Sequence, residues 1–272
     1  MGSRTLLIDN LMALQLQTAG WAVALTLLAG EARAAGEGFE PIAPYRPSVS
    51  SPAQLPAPGQ VEFEFGGLQQ RSDGARRRST PYLFKLAFTN EWGLLIGGEA
   101  RVWQRELALP QSDRAQGLGD TTLTLKRAWI VDDASAFGVE LGVKLPTAND
   151  TIGSGKTDWS LNTIYSREFG SVHMDANLNA LRLGLADAGT SRTQLGASVS
   201  LSTALSEHWG ITGELSGTRR SGAEHGTQVL TALTWSPSKL LTIDMGLARA
   251  VRPSPATTSL FAGLVFPLAK LW

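Results

Sequence analysis

The stretch Phe137-Gly-Val-Glu-Leu-Gly-Val-Lys-Leu145 decides the fold. Phe137, Val139, Leu141, Val143 and Leu145 alternate with Gly138, Glu140, Gly142 and Lys144. Successive side chains of a strand point to opposite faces, so this stretch has one apolar and one polar face.

The pattern recurs on both sides of it. Towards the N-terminus, Val61, Phe63 and Phe65 alternate with Glu62 and Glu64. Towards the C-terminus, Trp159, Leu161 and Tyr165 oppose Asp158, Ser160, Asn162 and Ser166. Val172, Met174, Ala176 and Leu178 oppose His173, Asp175, Asn177 and Asn179. Leu195 to Leu201, Trp209 to Leu215 and Leu241 to Leu247 repeat the theme, the last two around Glu214 and Asp244. Each run has about 10 to 12 residues, the length of a tilted bilayer-crossing strand. Soluble strands are nearer 5 or 6.

The connections alternate short and long. Short ones fall near Asn90-Glu91, Asp132–Ser135, Phe169-Gly170, Ser206-Glu207 and Pro237–Lys239. Long ones fall near 71–80, 105–117, 146–156, 184–191, 219–226 and 251–256. This predicts an all-β, antiparallel up-and-down transmembrane barrel of about twelve strands. Lipid offers backbone groups no partner, so such a sheet must close on itself. Both chain ends then fall on the short-turn side, periplasmic in the outer membrane of a Gram-negative bacterium.

Trp92, Trp129, Trp209 and Trp235 sit near the short-turn ends, where headgroups favour aromatic rings. Packing inside a soluble barrel is the alternative for them. Phe266 and the terminal Trp272 resemble the C-terminal signal read by the barrel assembly machinery.

Composition narrows the function classes. The 272 residues hold 24 Lys plus Arg and 24 Asp plus Glu, without the basic excess of a nucleic-acid binder. The chain has no cysteine, which excludes disulfides, thiolate metal sites and a cysteine nucleophile.

The N-terminus reads as an export signal: Arg4, an apolar core from Ala19 to Gly30, then Ala32-Arg33-Ala34 with cleavage before Ala35. A buried helix is the alternative. Residues 35–59 carry Pro41, Pro44, Pro47, Pro52, Pro56 and Pro58, which predicts an extended periplasmic linker or plain disorder. The domain reading is therefore a signal peptide over 1–34, a linker over 35–59 and a barrel over 60–272.

Tests for chemistry return little. Gly153-Ser-Gly-Lys-Thr157 lacks the first glycine of a phosphate loop, since Asp150 stands there, and reads as an external loop. No G-x-S-x-G elbow is present. His173, His208 and His225 have no metal-ligand spacing. A Ser–His pair inside the barrel stays open as the mark of a membrane enzyme.

Three stretches resemble a known family: Gly117-Leu-Gly-Asp-Thr-Thr-Leu123, Leu141-Gly-Val-Lys-Leu-Pro-Thr147 and Gly153-Ser-Gly-Lys-Thr-Asp-Trp-Ser160. Together they resemble the transporter-like outer-membrane family labelled "MetA-pathway of phenol degradation". The chain departs from that family at its last four residues, Ala-Lys-Leu-Trp. The resemblance implies an outer-membrane protein tied to uptake of aromatic or other hydrophobic compounds.

The resulting expectation is a passive channel for small solutes, embedded in outer-membrane lipid and needing no nucleotide, metal or covalent cofactor. Its candidate lumen and rim residues are Asp120, Lys126, Glu140, Lys144, Asp158, His173, Asp175, Glu214 and Asp244. Asp120 and Asp158 mark a mouth or constriction, unless they serve only as strand ends. The alternatives are a plugged structural or surface-interaction barrel and an outer-membrane enzyme.

Overall fold

The computed structural model describes residues 38–107, 114–253 and 256–272. The proposed signal peptide lies outside them. The described strands are β1 (Gln60–Arg71), β2 (Ala75–Ala87), β3 (Trp92–Glu106), β4 (Arg114–Gly117), β5 (Thr121–Asp132), β6 (Ser135–Leu145), β7 (Asp158–Phe169), β8 (Val172–Arg182), β9 (Thr193–Ala204), β10 (Trp209–Arg220), β11 (Gly226–Ser238), β12 (Leu241–Arg252) and β13 (Thr257–Lys270).

Every pairing between these strands is antiparallel, and β1 bonds to both β2 and β13, which closes the sheet. The short β4 pairs with Val102–Arg105 of β3, while β5 pairs with Trp92–Gly98 of the same strand. The two therefore share one place in the ring, and the barrel has twelve staves. No helix among the described residues is long and apolar enough to cross a membrane.

The distribution of side chains is that of a barrel in lipid. Leu141, Leu178, Leu195, Leu215, Met245 and Leu260 are exposed on the outer face. Glu62, Lys85, Lys126 and Asp244 are buried inside. The alternation in the sequence is thus turned apolar side out.

Two sequence expectations need correction. The connection expected over 71–80 is only Ser72 to Gly74, because β1 and β2 run on past the apolar band. The run Arg76-Arg77-Arg78 falls within that expected connection, yet its side chains alternate in exposure as a strand's do. The ladder slips only between Ser79 and Pro81, where proline offers no donor.

The second correction concerns residues 35–59. The part from Glu40 to Pro58 forms no helix or strand element and bends at Pro47, Val49, Ser50 and Ala53, and it is not a linker. It belongs to the same compact unit as the barrel and lies against the inward-facing side chains. Backbone without a strand partner must find other acceptors for its N–H groups. Here the inner wall provides them.

The last residues fold back on the start of β1. Leu271 N donates to Gly59 O at 2.8 Å. Gly59 has φ +78° and lies against Trp272, where a Cβ would come within 2.9 Å of the Trp272 carbonyl oxygen. Only glycine suits both demands. Strand β13 stays paired to β1 as far as Lys270, so Ala-Lys-Leu-Trp does not break the closing seam.

Candidate functional site

The lumen at the short-turn end is crossed by residues 40–58. The segment enters where Ile42 N donates to Lys239 O at 3.0 Å. Ala43 N then donates to Glu62, and Tyr45 N to Glu64 at 2.7 Å, both on β1. The Arg46 guanidinium grips Asp244 of β12 at two points, 2.8 and 2.9 Å. Val49 N and Ser50 N both donate to one oxygen of Glu214 on β10, each at 2.8 Å. Ser50 meets Ser198 of β9 at 2.9 Å, and Ser51 exchanges two hydrogen bonds with the Asn177 side chain of β8. Ala53 N reaches Ser166 of β7 at 2.8 Å. The anchors encircle the barrel, so the segment is a plug.

The wall makes room for it with inward-facing glycines. A Cβ on Gly263 would come within 2.4 Å of Arg46, and one on Gly93 within 2.7 Å of Leu55. One on Gly138 would lie 3.2 Å from the Cα of Ala53.

Tyr45 is the hub of the plug. Its ring lies between two buried ammonium groups, Lys85 at 4.4 Å and Lys126 at 4.2 Å from the centroid. Lys85 pairs with Glu62 at 3.0 Å and Glu64 at 2.6 Å; Lys126 pairs with Glu140 at 3.0 Å. Both lysines also donate to plug carbonyls, those of Ala43 and Pro52. The Tyr45 hydroxyl donates to Gln54 O at 2.7 Å. Burial first, then the nearby carboxylates of Glu140, Glu64 and Glu62, pushes this phenol well above its usual range. It stays neutral.

The sequence-derived residues fall into three layers. Lys126, Glu140, Asp175, Glu214 and Asp244 lie at the level of the plug, and all five are in direct contact with it or paired to a side chain that is. Asp120, Lys144 and Asp158 form a cluster at the long-loop rim. Lys144 Nζ bridges Asp120 and Asp158, 2.9 Å from each. The same carboxylates accept Ala148 N and Gly184 N, so they also pin two long loops. His173 sits alone at the short-turn rim, between Glu168 at 2.5 Å and Asp175 at 3.1 Å.

Ser166, Asp175 and His173 form a line, but in an order that activates no nucleophile. Ser166 donates to Asp175, and His173 contacts the same carboxylate rather than the serine. A general base must hold the nucleophile's own proton.

Sequence reasoning overlooked Glu62, Glu64 and Lys85 as site residues, although they occupy the polar phase of their strands. It had no signal for Tyr45 and Arg46, which lie in a segment without periodicity.

On the long-loop side of the plug is a cavity of about 330 Å³. Tyr45, Arg46 and Ser50 form its floor, and Pro81, Leu83, Leu95 and Thr124 part of its wall. One side is therefore apolar and the floor polar.

The family model described as MetA-pathway of phenol degradation matches residues 46–266. Among solved structures, the COG4313 outer membrane channel from Pseudomonas putida F1 is similar, with 14% identity and a TM-score of 0.63 over 79% of this chain and 98% of that one. The NanC porin is similar at 9% identity and a TM-score of 0.54, over 76% of this chain and 100% of that one. The KdgM porin in complex with oligogalacturonate gives 9% and 0.53, over 76% and 99%. No curated protein is similar in sequence. The barrel is thus an outer-membrane barrel in fold, and the match begins at Arg46, within the plug.

Proposed function

The chain belongs to the MetA-pathway phenol-degradation family, and from that premise we propose that it is a passive outer-membrane channel for small solutes with an aromatic or other apolar part, closed at rest by its own residues 40–58. The observation that carries this reading is how the plug is held. The described plug contacts are mainly hydrogen bonds and ion pairs to side chains of the wall, not ladder bonds of the sheet. Such contacts exchange with water one by one, and the ring of strands stays closed when they do. Similarity in fold to a named channel and to porins supports the same reading.

The cavity above the plug suits a solute with two faces. Leu83 and Leu95 offer apolar surface, while Arg46 and Ser50 offer donors. On this reading the long loops face outwards, the termini lie in the periplasm, and the rim cluster around Lys144 shapes the mouth. Passive flow requires no catalysis and no cofactor.

A plugged barrel without transport is the second reading, favoured by the number of buried anchors. Proteoliposome swelling separates the two. The refolded chain should admit benzoate faster than a sugar acid of equal charge, and swelling that never exceeds empty vesicles would favour the second reading.

A further inference from the structure

The outer face of the barrel carries an arrangement of charge found nowhere else among its described residues. Arg71 of β1 stands directly opposite Arg76 of β2, Arg76 opposite Arg105 of β3, and Arg105 opposite Arg114 of β4. Four exposed guanidinium side chains thus form one lateral row across four neighbouring strands. Adjacent strands are about 4.8 Å apart. Like charges directly opposite one another destabilise a sheet.

Elsewhere this chain avoids that. Glu62 faces Lys85, Lys126 faces Glu140, and Lys144 faces Asp158 in the same directly opposite register. Among the described residues no carboxylate pairs with any of the four arginines. With no balancing carboxylate among the described residues, the row is suited to an external anion.

Its height on the barrel says which anion. Along β1 the outward residues run Val61, Phe63, Phe65, Gly67, Gln69 and Arg71, from apolar to charged. Phe63 packs on Phe84 and Phe266, with centroids 4.5 and 5.7 Å away, in an outward aromatic cluster below the row. On β3 the outward tryptophans Trp92 and Trp103 are eleven residues apart. At a tilt near 40° that spacing spans roughly 28 Å, about the height of the apolar band with its girdles. Trp103 then marks one interface, and Arg105 lies just beyond it. Arg78 and Gln116 flank Trp103 in the adjacent row. An open groove of about 620 Å³ runs over Arg76, Arg78, Trp103, Arg105 and Arg114.

We infer that this face of β1–β4 is a binding site for a phosphorylated glycolipid of the outer leaflet, its phosphate groups held by Arg71, Arg76, Arg105 and Arg114 and its acyl chains lying along the aromatic cluster below. Arginine forks match phosphate oxygens at two points, and Trp103 sits where a sugar headgroup meets the chains. Such a lipid removes the like-charge repulsion and fastens the long β2–β3–β4 extension to the membrane surface. The inference rests on the long loops facing outwards, but not on solute transport.

The test is lipid retention by the full refolded chain in detergent, read by native mass spectrometry. Bisphosphorylated lipid A, the same lipid with its phosphates removed, and phosphatidylglycerol serve as probes. Retention of lipid A at least tenfold above the other two is expected. The triple variant Arg76→Gln/Arg105→Gln/Arg114→Gln should lose that preference. Arg219→Gln/Arg249→Gln, which removes outward arginines from strands without such a row, should keep it. A heat-sensitive gel shift establishes that each variant is folded. Equal retention of the three lipids by the unaltered chain overturns the inference, as does an equal loss in both variants. A bilayer assay of conductance is independent of either outcome.

Discussion

Arg46 and Asp244, separated by 198 positions in the chain, form a two-point ion pair inside the barrel. The Asp244 side chain is fully buried, and the arginine rests against the glycine pair Gly66 and Gly263, which face each other in the β1–β13 register. Breaking one partner of a buried pair costs about 3–5 kcal/mol. Arg46→Ala is therefore expected to raise the undocked fraction of the plug by roughly a hundredfold or more, at about 1.4 kcal/mol per tenfold. Limited proteolysis within residues 40–58 checks this, with the gel shift of the barrel unchanged.

Gly263→Ala should act on the same contact from the wall. Its Cβ would fall 2.4 to 2.6 Å from the Arg46 guanidinium, which must leave Asp244. Plug protection should drop as it does in Arg46→Ala. The double variant should be no worse than either single one, because both remove one interaction.

Tyr45 predicts an alkaline release. Its docked phenol ionises above the usual value near 10, so the neutral form is the one that fits between the buried carboxylates. Docking is then at full strength below pH 10 and weakens as pH climbs through the raised value. Lys85, Lys126, Glu62, Glu64 and Glu140 surround the same ring, so their charges face the phenol as well. Tyr45→Phe separates the effects: it gives up one hydrogen bond, about 1 kcal/mol, and keeps both cation–π contacts. Release, read by cleavage within residues 40–58 by a broad-specificity alkaline protease such as subtilisin, should occur at higher pH in Tyr45→Phe than in the unaltered chain.

At the rim, Lys144→Gln leaves Asp120 and Asp158 without their shared cation. The lysine is partly solvated, so the stability loss should stay near 1 kcal/mol. The larger effect is electrostatic: reversal potentials in a salt gradient should shift towards cation preference. Hydrogen exchange at Ala148 and Gly184, whose N–H groups bond to these carboxylates, should quicken.

How much of this was legible beforehand follows from periodicity. Phe137 to Leu145 announces both the strand and its faces, and Glu140 and Lys144 fall on the inner wall as their phase requires. Asp120 could be placed near the outer rim from its strand end, but not its sharing of Lys144 with Asp158, which depends on the register of three strands. Residues 40–58 have no period of their own. Their position is set by partners far away in sequence, such as Glu214 and Asp244, so prolines alone read as a linker. The arginines at 76–78 have no apolar–polar alternation, so the strand through them did not show in the sequence.

The plug itself can be tested with a reversible tether. The chain has no cysteine, and Ser50 of the plug meets Ser198 of β9 with oxygens 2.9 Å apart, close enough for a disulfide in their place. The measurement is single-channel conductance of Ser50→Cys/Ser198→Cys in a planar bilayer, oxidised and then reduced on the same membrane. A movable plug in a passive channel predicts silence when oxidised and discrete steps after reduction, with benzoate altering the open level. Identical conductance in both states, whether open or silent, would contradict a channel closed by residues 40–58.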